Sequence, residues 1–236
     1  MPEIASGRIP AILPRTPAVR RSCGAFLAGL GWLALAVELY FNIEEAFAKD
    51  LSAAGNIIKY FSFFTIETNL LAALSLTILC ARPRTEHFMT RPTVTTAIAV
   101  YSIITGAVYA VLLRQLWHPA GLQLAADIVL HDVIPFLYPL FWLIFLPRGG
   151  LRWIDPFWWL AFPILYFFYS MIRAAALGSY LYPFLDTSKL GLQQVLVNAA
   201  LLLVIFLALG LALVAIDRSL SSWGRARSRL GRAAEL

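Results

Sequence analysis

Six long apolar runs, separated by short polar connections, divide the chain. They cover residues 24–43, 57–80, 94–117, 122–146, 156–177 and 190–216. Each run is close to the roughly 20 residues that an α-helix needs to cross a bilayer. The pattern predicts an all-α polytopic membrane protein, in which a bundle of six transmembrane helices at residues 23–217 lies between tails at 1–22 and 218–236. Because the connections are short, consecutive helices are expected to be antiparallel neighbours.

Composition favours the same class of protein. Of the 236 residues, 60% are hydrophobic and only 14% are charged. A soluble domain usually carries about a quarter charged residues, so the apolar excess is expected to face lipid. The net charge of +6 does not indicate a nucleic-acid partner, because the arginines cluster at the chain ends and in particular loops. In a membrane protein that distribution reports orientation.

Basic residues mark one side of the predicted bundle. They occupy both tails and the loops after the second and fourth helices, at Arg8, Arg15, Arg20, Arg21, Arg82, Arg84, Arg91, Arg148, Arg152, Arg218, Arg225, Arg227, Arg229 and Arg232. The positive-inside rule therefore predicts an integral protein of the plasma (inner) membrane with both termini cytoplasmic. Cys23 and Cys80 then lie at the cytoplasmic edge, where thiols stay reduced.

Two groups of polar residues interrupt the apolar runs. Thr65, Thr68 and Asn69 in the second run are spaced i, i+3 and i+4, which places them on one helix face. Asp127 and His131 lie four residues apart in the fourth run. Polar side chains within a membrane are costly, so such groups commonly mark functional sites.

Counting along the helices puts several polar residues at a similar depth. At about 1.5 Å per residue, Thr65, His131 and Asn198 lie roughly 12–14 Å below the outer surface. Glu38 and Arg173 lie about 7 Å below it. We therefore expect the two polar groups to meet in a pocket that opens to the outer side above an apolar floor.

Each of these residues also has a structural interpretation. His131 is a general base, a proton relay or a hydrogen-bonded structural histidine, and Asp127 either orients it or is solvated near the headgroups. Threonine hydroxyls in membrane helices often bond their own i−4 carbonyl. Arg173 either snorkels to the headgroups or pairs with Glu38 and a substrate carboxylate. One histidine with distant cysteines is a poor zinc or haem site, so no metal or cofactor is expected.

Three short motifs carry a resemblance to a known family. They are Phe64-Thr65 in the second run, His131-Asp132-Val133-Ile134-Pro135 in the fourth, and Tyr182-Pro183-Phe184-Leu185-Asp186 before the last helix. With six helices in order, they resemble the androgen-induced protein family, which includes the androgen-dependent regulators of tissue-factor-pathway inhibitor. The chain looks like a prokaryotic-type relative. The resemblance implies a membrane threonine hydrolase of fatty acid esters of hydroxy fatty acids, with Thr65 as the nucleophile and His131 as the base.

The first functional hypothesis is an intramembrane lipid-ester hydrolase, a threonine-type carboxylic ester hydrolase without a cofactor. Its partners would be the membrane and a lipid or fatty-acyl ester substrate. Asn69 or a backbone N–H would stabilise the oxyanion, and Arg173 would hold a free carboxylate of the substrate. The family usually has an Asn or Asp three residues after the threonine, whereas here Thr68 stands at that place and Asn69 follows it. A one-residue slip in the match leaves Thr68 as a rival nucleophile.

The second hypothesis is a non-catalytic membrane protein. It would be a small-molecule or proton-coupled carrier, or a scaffold, and it would use Asp127, His131 and Glu38. A water-filled path to the cytoplasm would favour the carrier, whereas the apolar inner halves of the helices argue against such a path.

A reporter fused after Leu236 tests the predicted orientation. Because the basic residues place this end in the cytoplasm, we expect a cytoplasmic reporter to be active and a reporter that requires export to be silent. Activity of the exported reporter at this position would contradict both the orientation and the depth estimate.

Overall fold

The computed structural model describes residues 17–81 and 87–233, with side chains described as far as Trp223. Within these ranges the chain forms helices joined by short turns, without a β-strand. Six helical segments are long and apolar enough to cross a membrane: Pro17–Ala48, Phe64–Ala81, Pro92–Leu113, Gly121–Phe145, Asp155–Leu177 and Thr187–Trp223. The predicted all-α membrane fold with six spans is therefore confirmed.

The α-helices are numbered in chain order. They are α1 (Pro17–Ala48), α2 (Ala53–Phe61), α3 (Phe64–Ala81), α4 (Pro92–Val108), α5 (Gly121–Ile128), α6 (Ile134–Phe145), α7 (Asp155–Trp159), α8 (Ala161–Leu177) and α9 (Thr187–Ala233). A π-helical turn, Tyr109–Leu113, extends α4, and a second one, Val129–Val133, joins α5 to α6. Short 3₁₀ turns at Phe88–Thr90 and Pro183–Leu185 precede α4 and α9.

Local sequence accounts for several helix ends. Ser52 caps α2, because its hydroxyl accepts the Gly55 N–H at 3.2 Å. Pro92 occupies the first turn of α4, where its missing N–H costs no hydrogen bond. Gly178 ends α8 with φ 65°, a left-handed conformation that glycine adopts without strain. Gly191, with φ 75° and ψ 156°, kinks α9 near its start.

The second apolar run is not one continuous helix, as the sequence predicted, but two. The Ser62 hydroxyl donates to the Ile58 carbonyl at 2.6 Å, and the Tyr166 hydroxyl donates to the Ser62 carbonyl at 3.0 Å. These bonds pair backbone groups that a continuous helix would have paired itself, so the break is tolerated. Thr65 consequently lies in the first turn of α3 and not eight residues into a helix.

Helical structure also extends into both predicted tails. α1 begins at Pro17, inside the predicted tail 1–22, and α9 continues to Ala233, inside the predicted tail 218–236. The reason is that Ala, Leu and Arg, which are common in these tails, are good helix formers. Part of the orientation argument lies outside the described residues, namely Arg8, Arg15, Arg82 and Arg84. Sidedness therefore stays a prediction.

Apolar packing fills the bundle below the end where α1 stops and α3 starts. α1 packs mainly against α3 and α5, and α4 packs against α6. Leu76, Ile98, Tyr138 and Trp142 belong to one buried cluster formed by α3, α4 and α6. Cys23 and Cys80 are both free thiols at the opposite end, as the sequence predicted.

A buried ion pair attaches the loop after α6 to α9. The Arg148 guanidinium lies 3.9 Å from the Trp142 ring centroid and 3.9 Å from the Asp217 carboxylate. Asp217 also accepts the N–H groups of Gly149 and Leu151, at 3.0 and 3.4 Å. Burial lowers the pKa of Arg148 to about 10, opposed by the nearby Asp217, so the side chain stays charged at neutral pH. One carboxylate thus holds both the side chain and the backbone of this loop.

Replacing Asp217 should therefore destabilise the bundle. Asp217→Ala leaves a buried guanidinium without its counter-ion, and we expect a loss of about 3–5 kcal/mol in the free energy of unfolding. Thermal unfolding of the purified protein in detergent measures it. Glu45→Ala, which breaks the exposed pair with Lys49, is the control and should cost less than about 1 kcal/mol. Equal midpoints for the two variants would contradict the assigned role.

Candidate functional site

A polar-lined cavity of about 370 Å³ lies at the end of the bundle where α1 stops and α3 starts. Its wall includes Thr65 and His131 together with Glu38 and Asp127. These four residues come from α1, α3, α5 and the π-helical turn after α5. We call this space the polar cavity. The candidate nucleophile and the candidate base therefore face the same space.

His131 is oriented by Asp127. The Nδ1 atom of His131 lies 3.0 Å from the Asp127 carboxylate and 3.0 Å from the Asp127 carbonyl oxygen. A neutral imidazole that donates from Nδ1 leaves Nε2 as a hydrogen-bond acceptor. The arrangement is the one in which a carboxylate holds a histidine base in its working tautomer.

The π-helical turn that carries His131 has a local cause. Ile134 donates its N–H to the Val129 carbonyl, the i−5 spacing of a π-helix. Pro135 follows and has no N–H with which to pair the His131 carbonyl. Gly106 of α4 packs against this point, since a Cβ there would lie 2.8 Å from Pro135 and 3.1 Å from the His131 carbonyl oxygen. The bulge and the glycine together bring α4 close to His131.

Tyr109 supports the histidine from α4. Its ring stacks on the His131 imidazole, with ring centroids 3.8 Å apart and planes 19° apart. Its hydroxyl donates to the Asp127 carboxylate at 2.5 Å. Tyr109 begins the other π-helical turn, in which Arg114 donates its N–H to the Tyr109 carbonyl at 2.8 Å. Sequence reasoning did not assign Tyr109 to the supporting set, because a π-helical turn without proline or glycine leaves no pattern in the sequence.

Thr65 has Tyr182 as its neighbour. The Tyr182 phenol lies near the Thr65 hydroxyl and near the backbone N–H groups of Phe64 and Thr65. These two backbone N–H groups are in the first turn of α3, where they have no acceptor within the helix. Burial raises the pKa of Tyr182, and the hydrogen bonds from Thr65 oppose that rise. Among the side chains that the structure describes, no hydrogen bond joins Thr65 directly to His131.

A second cavity of about 370 Å³ adjoins the first. Thr65, Leu113 and Tyr182 line both cavities. The rest of its wall is largely apolar and comes mostly from α4, α8 and α9, and we call it the apolar cavity. Thr65 therefore lies on the boundary between a polar and an apolar space.

Asn69 connects the two halves of the site. Its amide nitrogen donates to the Thr65 carbonyl at 2.9 Å and to the Leu130 carbonyl at 3.1 Å. Asn69 is 2% exposed and lies outside both cavity walls, so it is not placed to stabilise an oxyanion. Thr68 is 1% exposed and also lies outside both walls, which disfavours it as the nucleophile.

Arg173 does not take part in the polar cavity. It donates to the Ser179 carbonyl at 3.3 Å. The predicted pairing of Arg173 with Glu38 is wrong within the described structure, because Glu38 instead accepts from Gln123 at 3.4 Å. The sequence gives the depth of a residue along its helix but not which side of the helix faces the bundle, and this is why the pairing was predicted wrongly.

Asn198 belongs to neither cavity wall. Its amide donates to the Phe184 carbonyl at 2.9 Å. Phe184 belongs to the 3₁₀ turn that follows Tyr182, so Asn198 holds the segment that carries the partner of Thr65. Tyr182 lies in one of the motifs recognised in the sequence. Only the tertiary structure shows that it is a neighbour of Thr65.

No family model, curated protein or solved structure matches the chain. In the part of the chain that the structure describes, no group of three or more His, Cys, Asp or Glu side chains is arranged to hold a metal ion. The functional argument therefore depends on the geometry of the two cavities.

Replacing Asn69 tests the connection between Thr65 and the His131 turn. Asn69→Ala removes two buried hydrogen bonds, and we expect a loss of roughly 1–3 kcal/mol in unfolding free energy. Hydrogen exchange should rise at the start of α3 and around Leu130 together. Asn56→Ala removes one bond from α2 to the Asn42 carbonyl and is the control. Faster exchange confined to α3 alone would contradict the bridging role.

Proposed function

We propose that the protein is an intramembrane lipid-ester hydrolase with Thr65 as the nucleophile and His131 as the general base. The observation that carries the proposal is that Thr65 and His131 line one cavity while Asp127 contacts Nδ1 of His131. A hydroxyl, an imidazole and an orienting carboxylate are the parts of a hydrolase triad. The substrate class is a fatty-acyl ester, including fatty acid esters of hydroxy fatty acids.

The reaction would proceed in two halves. His131 Nε2 takes the proton of Thr65 as Oγ1 attacks the ester carbonyl carbon, and the tetrahedral intermediate collapses when the alcohol leaves with that proton. In the second half, His131 takes a proton from water, and the resulting hydroxide attacks the acyl-threonine. The carboxylic acid leaves and Thr65 recovers its proton. Each half transfers one proton to His131 and returns it.

The first turn of α3 would stabilise the developing negative charge. Its Phe64 and Thr65 N–H groups lie near the Tyr182 phenol oxygen. A substrate carbonyl oxygen placed there would meet the same donors at the positive end of the helix. The Thr65 hydroxyl would then turn from Tyr182 towards His131. Backbone N–H groups thus replace Asn69 as the expected oxyanion donors.

A second candidate function has one specific observation in its favour. Glu38, Asp127 and His131 line the polar cavity together, and Glu38 Oε1 is buried without a hydrogen-bond partner. Three titratable groups around one space are typical of a proton-coupled carrier. The apolar cluster around Leu76 and Ile98 beneath the cavity argues against a continuous path. Proton uptake by vesicles that contain the purified protein would distinguish a carrier from a hydrolase.

Single replacements at the two proposed catalytic positions test the hydrolase. Thr65→Ala and His131→Ala should each abolish hydrolysis of a fatty-acyl nitrophenyl ester, because each removes one part of the same unit. The double variant should be little worse than either single variant, since members of one catalytic unit are not additive. Labelling of Thr65 by a fluorophosphonate probe should disappear in Thr65→Ala.

Thr68→Ala is the matched control, because Thr68 lies one turn along α3 and outside both cavity walls. It should keep most of the activity. Loss of activity in Thr68→Ala with retention in Thr65→Ala would exchange the two roles. An inert wild-type protein that takes up protons would favour the carrier.

A further inference from the structure

We propose that the apolar cavity is a binding site for one unbranched acyl chain, which enters from the bilayer between α8 and α9. Binding of the chain is independent of catalysis. Only the assignment of the chain to the acyl half of an ester rests on the proposed function. The site is separate from the polar cavity except at the shared wall formed by Thr65, Leu113 and Tyr182.

The wall of the apolar cavity suits a hydrocarbon chain. It contains no charged side chain, and its polar members are Thr65, Thr105, Tyr166 and Tyr182. On α9, Leu196, Ala199, Ala200, Leu203 and Phe206 recur at helical spacing and form one side. A charged or strongly hydrated ligand would lose its water there without gaining a partner. The chemistry of the wall therefore selects an apolar ligand.

The cavity opens towards lipid. Phe168 of α8 and Leu196 of α9 line it, yet they are 57% and 50% exposed. These two helices contact each other only sparsely, whereas α4 packs more extensively against both α6 and α9. An opening between α8 and α9 faces the hydrocarbon region, because both helices are candidate membrane spans. A lipid chain can therefore enter without passing through water.

The shared wall sets the direction of the chain. Thr65 and Tyr182 stand where the apolar cavity meets the polar cavity. A chain in the apolar cavity would place its polar end at the first turn of α3. For an ester, the acyl chain would then lie between α8 and α9, and the alcohol would lie in the polar cavity beside His131.

The volume indicates which chains fit. The apolar cavity measures about 370 Å³. A methylene group is similar in size to a water molecule, whose share of liquid volume is about 30 Å³, so the cavity holds on the order of a dozen methylene groups. Lipid tails are as apolar as the wall, so burial alone gives no preference. Selectivity would come from fit and would show as a preference for chains long enough to fill the cavity.

Ala199→Phe tests the site, because it adds a ring inside the cavity. Ala208→Phe is the matched control, since Ala208 is on the same helix, is exposed and lines neither the polar nor the apolar cavity. The probe is a photoreactive dodecanoic acid, added to the purified protein in detergent micelles. Labelled residues are located by mass spectrometry and competed with unlabelled dodecanoic acid.

We expect labelling of α8 and α9 residues that line the cavity in the wild type and in Ala208→Phe. Ala199→Phe should reduce it about tenfold or more, the effect of overfilling a packed apolar site. Ester hydrolysis is measured in parallel with butanoyl and dodecanoyl nitrophenyl esters. Ala199→Phe should lower kcat/KM for the dodecanoyl ester by a similar factor and leave the butanoyl ester nearly unchanged.

The outcomes separate this inference from the proposed function. Specific labelling without hydrolysis of either ester would support the chain site and overturn the hydrolase. Hydrolysis with an unchanged chain-length preference in Ala199→Phe would support the hydrolase and overturn the chain site. Labelling spread over the lipid-facing surface and insensitive to competition would mean that ordinary bilayer lipid alone fills the space, and it would overturn the site.

Discussion

The pairing of backbone groups within the membrane is the constraint on which the site depends. A helix that breaks in an apolar environment exposes N–H and C=O groups that lipid cannot satisfy. Between α2 and α3 the chain breaks at Ser62, and tyrosines from elsewhere supply the partners. Tyr166 donates to the Ser62 carbonyl, and the Tyr182 phenol lies near the first N–H groups of α3. Because the break is satisfied in this way, Thr65 is presented at a helix N-terminus.

The need to pair backbone groups also applies to the segment that carries His131, where it is met in a different way. Pro135 removes one helical hydrogen bond, and a π-helical turn shifts the register so that Ile134 bonds to Val129. His131 lies inside that turn, and Asp127, one helical turn earlier, contacts its Nδ1 atom. Gly106 permits the close approach of α4. Irregular backbone on two neighbouring elements thus converges on the polar cavity, as functional π-helical bulges often do.

The irregular backbone segments place their side chains in the walls of the two cavities. The polar cavity brings together the Thr65 hydroxyl, the His131 imidazole and the carboxylates of Glu38, Glu45 and Asp127. The apolar cavity offers space for a chain on the other side of Thr65. An ester has both parts, an apolar chain and a polar centre that must meet water. A protein that handles such a molecule within a bilayer needs a boundary between the two environments. Thr65 and Tyr182 form that boundary here.

The sequence by itself determined the class of fold, because length and apolarity suffice to recognise six spans. It also singled out Thr65 and His131, since polar side chains are conspicuous in apolar runs. The tertiary structure decided the rest. No glycine or proline marks the break at Ser62, whose carbonyl is paired by Tyr166 from α8. The contacts that Tyr109 and Tyr182 make with the site were likewise not predictable, because contacts between distant segments leave no local pattern in the sequence.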